Sequence, residues 1–273
     1  MELLRSFAFG QYVPVDSVVH RLDPRTKILA TVLLAAAIFG IAQPAGLGVI
    51  TVLLAAVIAA GRIPPGYVFR GLKPVFWLLG FAVVLQVLFG ESGGHPVFHL
   101  GPISITRENL AAGAFYGYRL VLLVVSTTLM TFTTSPMELT DGLERLLRPL
   151  QHARVPVHEL ALMMTIALRF IPTLLEETEK IMKAQMARGA EFARGSLVRR
   201  ARALVPLLVP LFVSAFRRAD ALALAMEARG YRGGEHRTRM TELRFHVRDY
   251  VALAVIVLAG AASLAPSSFW SAL

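Results

Sequence analysis

Residues 28–61 read ILATVLLAAAIFGIAQPAGLGVITVLLAAVIAAG, 34 consecutive positions without Asp, Glu, Lys or Arg. A helix that crosses a bilayer needs about 20 largely apolar residues. The run is therefore too long for one span, and Gln43, Pro44 and Gly46 interrupt it where a tight turn would join two. Working outward, residues 74–90 carry no charge, residues 110–134 carry only Arg119, and residues 250–273 carry none. These stretches predict an all-α membrane protein with about five transmembrane helices. Three further helices, cytoplasmic or interfacial, are expected in an insert before the last span.

Composition agrees. The 273 residues are 55% hydrophobic and 17% charged, with a mean hydropathy of +0.60, whereas soluble domains carry roughly 25% charged residues. A disordered chain and an ordinary cytosolic enzyme are both disfavoured. With no cysteine, thiolate metal sites, iron–sulfur clusters and cysteine nucleophiles are excluded. The net charge of +10 is compatible with nucleic acid, anionic lipid or an acidic protein partner, so its placement decides.

Four units follow: a cytoplasmic N-terminal segment (1–27), a four-span membrane module (28–134), a cytoplasmic coupling module (135–249) and a last span (250–273). The first segment holds Glu2, Asp16 and Asp23 and lacks a long apolar run, unlike a cleaved signal peptide. Arg5, Arg21, Arg25 and Lys27, then Arg62, Arg70 and Lys73, flank the first spans, while the 91–109 loop has only Arg107. The positive-inside bias places the N-terminus in the cytoplasm of a cell-membrane protein and the 91–109 loop outside.

The insert holds 19 of the 28 basic and 13 of the 18 acidic residues. Its charge-free runs, 160–168 and 203–216, are short for a span, and Pro206 and Pro210 would kink a helix or delay its start. Three helices are expected, over 136–151, 157–189 and 204–230. In the second, Glu176 with Lys180 and Glu179 with Lys183 stand at i, i+4 with the acid first. Each long helix has one apolar end and one polar end. Both finish alike, in Ala187-Arg188-Gly189 and Ala228-Arg229-Gly230, with the two arginines 41 positions apart. Glycine permits a left-handed cap and arginine complements the helix dipole. A matched pair also offers two guanidinium forks to an acidic cleft. A third copy, Ala193-Arg194-Gly195, sits in the connecting loop.

No phosphate loop, GxGxxG, HExxH or GxSxG occurs, so no nucleotide site or hydrolytic nucleophile is indicated. Arg119 is expected to snorkel to the outer interface or pair within the bundle. Ser126, Thr127, Thr128, Thr131, Thr133 and Thr134 are expected to aid close helix packing. His95 and His99 have metal-pair spacing, but Gly93, Gly94 and Pro96 argue for a polar loop. Aromatics are sparse among the basic residues of the insert, which favours a membrane surface or protein partner over nucleic acid.

The string His20-Arg21-Leu22-Asp23-Pro24-Arg25-Thr26-Lys27, followed at once by an apolar span, resembles the signature of the transmembrane T component of energy-coupling factor transporters. Asp23 also reads as an N-cap with Pro24 at the first helical position, and Arg25 and Lys27 as markers of the cytoplasmic boundary. The likeness continues through Thr133-Thr134-Ser135-Pro136 and Leu168-Arg169-Phe170-Ile171-Pro172 to the two Ala-Arg-Gly motifs. It spans nearly the whole chain.

The resemblance implies a non-catalytic subunit of an importer for vitamins or metal ions. Two cytoplasmic ABC-type ATPases would bind the ATP, this chain holding no cofactor or metal. A substrate-binding S component would capture the cargo. Ala187, Arg188, Gly189, Ala228, Arg229 and Gly230 would dock the ATPases, and Leu204, Leu208, Leu211 and Phe212 would meet the S component. A permease subunit of a conventional ABC importer is the nearest alternative, but it presents one short coupling helix rather than a 115-residue insert. A membrane-bound transferase would need clustered carboxylates or histidines, which are scattered here.

Overall fold

The computed structural model describes residues 12–13, 15–90, 96–100, 103–190, 197–233 and 245–265. Among them the backbone forms eight α-helices: α1 (Pro24–Gly40), α2 (Pro44–Gly61), α3 (Pro65–Phe89), α4 (Arg107–Thr133), α5 (Pro136–Leu147), α6 (Val157–Ala187), α7 (Leu197–Ala228) and α8 (Val247–Ser263). One antiparallel hairpin, β1 (Pro96–Leu100) with β2 (Ile103–Thr106), joins α3 to α4, pairing His99 with Ser104 and Leu100 with Ile103. The protein is thus an all-α membrane protein carrying a small hairpin where a plain loop is expected. His95 lies outside the described residues.

Proline sets several helix starts. Pro24, Pro44 and Pro65 each occupy the first turn of their helix, where the missing N–H costs nothing and the fixed φ favours the helix. The break expected at residues 43–46 is present, since α1 ends at Gly40 and α2 begins at Pro44. Other prolines behave differently. Pro74 lies inside α3, Pro172 inside α6, and Pro206 and Pro210 inside α7. The expected start of the last of these helices at 204 is therefore corrected to Leu197. The expected helix over 136–151 closes at Leu147, and a 3-10 turn follows over Arg148–Ala153, where Pro149 cannot donate to an α-helical ladder.

Among the described residues four helices, α2, α3, α4 and α6, are long and apolar enough to cross a membrane. The charge-free run at 160–168 is short, but it belongs to a 31-residue helix. α1 and α8 have 17 residues each, at the lower edge of the spanning range.

The chain divides into two compact units, one drawn from Gln11–Leu143 and Leu243–Leu273, the other including Glu144–Glu242. In the first, α1, α2 and α4 share a core built on Ile38, Ile50, Leu54, Leu122, Leu129 and Phe132. The start of α2 lies so close to α8 that a Cβ on Gly46 would collide with the Ser263 carbonyl oxygen. α4 approaches α3 through Gly113 and Gly117, which face Val87 and Val83, the small-residue packing that membrane helices use. The outer side of α3 is apolar and uncovered, with Trp77 86% exposed, as suits a surface meeting lipid.

Of the hydroxyls on α4, Thr128 faces Gly71 of α3. Those of Thr127, Thr131 and Thr133 donate to their own helix's carbonyls one turn back. Arg119 is paired within the bundle. Its guanidinium donates to the carbonyl of Ile41, the C-cap of α1, and stacks on Phe115 and Tyr116. A cation at that end complements the helix dipole.

Candidate functional site

The two Ala-Arg-Gly ends are built alike. Gly189 has φ +85° and Gly230 +76°, the left-handed region that costs a residue with a Cβ. Gly189 N donates to Met186 O at 3.0 Å and Ala190 N to Gln185 O at 3.0 Å; Gly230 N donates to Glu227 O at 2.9 Å and Tyr231 N to Met226 O at 3.0 Å. Both are Schellman caps with the same donor and acceptor offsets. Arg188 and Arg229 occupy the equivalent C-cap position in each. Both are exposed, and among the described residues neither forms an ion pair. The third copy, 193–195, lies outside the described residues.

α6 and α7 pack against each other. Ser214 Oγ donates to Glu177 Oε1 at 2.5 Å, and Arg218 Nη2 donates to Glu177 Oε2 at 2.8 Å. This cross-helix cluster was not legible in the i, i+4 pattern. Among the described residues no ion pair joins Glu176 to Lys180 or Glu179 to Lys183. The acid that pairs is Glu177, between them, because it faces α7. Beside it an apolar cavity of about 320 Å³ is lined by Ile166, Phe170 and Leu174 of α6 and Ala215, Ala219 and Ala223 of α7.

Of the four residues expected to meet a partner, Leu204 is 48%, Leu208 49% and Phe212 60% exposed. The i, i+4 spacing puts them on one face of α7. Leu211 is half-buried and shares its side of the helix with Leu207, which is 5% exposed. An apolar surface also opens on α6 at Leu160, Met163 and Met164.

In the other unit, the residues of the N-terminal signature form a buried polar knot. Asp23 caps α1, its Oδ1 accepting from Arg25 N at 2.9 Å. Its own N–H donates to Asp249 Oδ1 at 2.8 Å, while Asp249 Oδ2 accepts from His246 N at 2.8 Å. One carboxylate, 2% exposed, thus serves the starts of both α1 and α8. Arg25 stacks over Phe245 with 4.8 Å to the ring centroid. Lys27 is 5% exposed, and its Nζ donates to His20 O at 2.9 Å and Thr133 O at 2.7 Å. Arg25 and Lys27 are therefore engaged inside the protein.

Lys27 also joins the signature to the end of α4, where Ser135 and Glu138 form a reciprocal capping box on α5. Gly142 of α5 lies against Pro24, leaving 2.9 Å for a Cβ. Burial, reinforced by the Lys27 ammonium, pushes the His20 imidazole below its ordinary value. The sequence alone does not mark Asp249, since one of its two partners, Asp23, lies 226 positions away. No group of three or more His, Cys, Asp or Glu able to hold a metal occurs among the described residues.

Known proteins match this arrangement along most of its length. A family model described as cobalt transport protein, CbiQ, matches residues 16–240. The energy-coupling factor transporter transmembrane protein EcfT of Thermosediminibacter oceani is 51% identical over 267 residues, covering 98% of this chain and 100% of the relative. Proteins of the same description from Thermanaerovibrio acidaminovorans, 52% identical with 94% of each chain covered, and Bacillus subtilis, 48% identical over 94% of this chain and 97% of its own, agree. The chain therefore belongs to the family of transmembrane proteins of energy-coupling factor transporters.

Proposed function

We propose that this membrane protein is the non-catalytic coupling subunit of an importer for vitamins or metal ions. The N-terminus and the α5–α7 region face the cytoplasm. Arg188 and Arg229 dock one each into two ABC-type ATPase subunits, which bind and hydrolyse the ATP. The exposed apolar stretch of α7, including Leu204, Leu208 and Phe212, meets a substrate-binding S component. Closure of the ATPase pair displaces the Arg-Gly ends, and the helices carry that displacement to the S component. The names of the relatives support a transporter complex of this kind.

The observation that carries the reading is the matched pair of Schellman ends, each presenting an exposed arginine without an ion pair among the described residues. An arginine fork at a rigid helix end suits a carboxylate in a protein groove. Its test is Arg188→Glu and Arg229→Glu in the co-expressed complex. Reversing a docked charge leaves a partner charge unpaired, so ATPase association should weaken at least about thirtyfold. Unchanged co-purification and transport would overturn the docking role.

A further inference from the structure

We infer that Glu177, Ser214 and Arg218 are the pivot about which α6 and α7 change their mutual angle. The inference rests on the coupling role proposed above and adds the place where the motion is centred. Glu177 and Arg218 are 41 positions apart, the same separation as Arg188 and Arg229. The ion pair therefore joins equivalent points of two equivalently built helices. Each point lies eleven residues before its motif arginine, an arm of about 16 Å at the helical rise. The match extends the other way. Met163, 57% exposed, and Leu204, 48% exposed, each stand fourteen residues before the pivot on their own helix, about 21 Å along it. Arginine tip, polar joint and apolar patch fall in the same order at the same spacing on both helices.

The packing around the joint assigns it a mechanical role. Arg218 itself lines the apolar groove between the helices, to which α7 contributes the short side chains of Ala215, Ala219 and Ala223 beside Leu222 and Met226. The groove is open on one side, with Ala219 and Ala223 exposed, so few dispersion contacts lock a crossing angle there. The angle is then governed by the short polar contacts of one carboxylate with a serine and a guanidinium. Such contacts survive rotation about their own axis while resisting separation. The pair is partly open to solvent, with Arg218 42% and Glu177 23% exposed as side chains, and exposed pairs add little to overall stability. Its loss is therefore felt in coupling rather than in melting temperature.

The chain lacks cysteine, so spin labels can be placed through Lys183→Cys and Leu224→Cys. These positions are exposed, equivalent, and six residues beyond the pivot on each helix. In the full reconstituted complex, the label distance should shift between the nucleotide-free and ATP-bound states. Glu177→Gln and Arg218→Gln should broaden the distance distribution, abolish that shift and cut transport about tenfold, with ATPase co-purification held within about twofold. The exchange Glu177→Arg with Arg218→Glu should restore both shift and transport. If either single variant keeps both, the pivot is overturned. It is also overturned if the exchange fails to recover what the single variants lose, because the effect then belongs to folding. If Arg188→Glu and Arg229→Glu leave ATPase association unchanged while the shift still depends on Glu177, the docking role fails and the pivot stands.

Discussion

Asp249→Ala tests the buried knot directly. The carboxylate accepts from Asp23 N and His246 N, both at 2.8 Å, at a site 2% exposed where water cannot readily replace it. Leaving a buried N–H without a partner costs about 1–3 kcal/mol; the Asp23 bond is buried and the His246 bond only partly so, so losing both costs about 2–5 kcal/mol. For a chain of this size each kcal/mol corresponds to about 2–4 °C, which puts the loss at about 5–20 °C in midpoint. Asp249→Asn keeps one acceptor oxygen and should fall between. The assay is thermal unfolding of the detergent-solubilised complex, followed as loss of the monodisperse peak. Asp16→Ala serves as control, since its bidentate pair with Arg21 is open to solvent and should leave the midpoint unmoved. An Asp249→Ala protein melting within about 1 °C of wild type would refute the reasoning that buried N–H groups need this acceptor.

The cap glycines offer a cleaner case of backbone strain, because no atom lies within 4 Å of a Cβ built on Gly189 or Gly230. Alanine there meets only the left-handed penalty of about 1–2 kcal/mol, so amide exchange at Ala190 and Tyr231 should quicken about five- to thirtyfold, with asparagine milder. His20 is held below its ordinary value by burial and by Lys27. The unfolded chain therefore takes up a proton before the folded one does, and stability falls as pH drops through about 6.5. Denaturation at pH 5 and pH 7.5 should show a smaller pH effect in His20→Gln; an equal effect would count against it. Leu208→Glu or Phe212→Glu should release the S component from the purified complex while the ATPases remain, and loss of all partners together would point to misfolding instead.

Local chemistry made much of this fold legible. Pro24, Pro44 and Pro65 announce helix starts, Asp23 announces its own cap, and Gly189 and Gly230 announce the two matched ends. Charge-free length locates α2, α3 and α4. What escaped depends on contacts distant in sequence or on lipid. Pro206 and Pro210 read as breakers, yet apolar helices of membrane proteins accommodate proline where neighbouring groups satisfy the freed carbonyls. Glu177 sits between two acids placed for pairing along α6, and only the approach of α7 selects it. Lys27 reads as a boundary charge until the ends of α4 and of the 18–20 turn close around its ammonium. Asp249 stands in what reads as the flank of a span, and its task becomes visible only beside residue 23.

Arg119 bears on how the chain is made. A lone arginine entering the bilayer costs about 2.5–3.5 kcal/mol on insertion scales, and its relief here is the carbonyl of Ile41, just past the end of α1 and 78 residues upstream. Synthesis proceeds from the N-terminus, so α1 and α2 leave the ribosome before α4, and the acceptor is in the bilayer when the guanidinium emerges from the translocon. A permuted gene that began with α4 would deliver the cation first, into hydrocarbon that holds no acceptor for it.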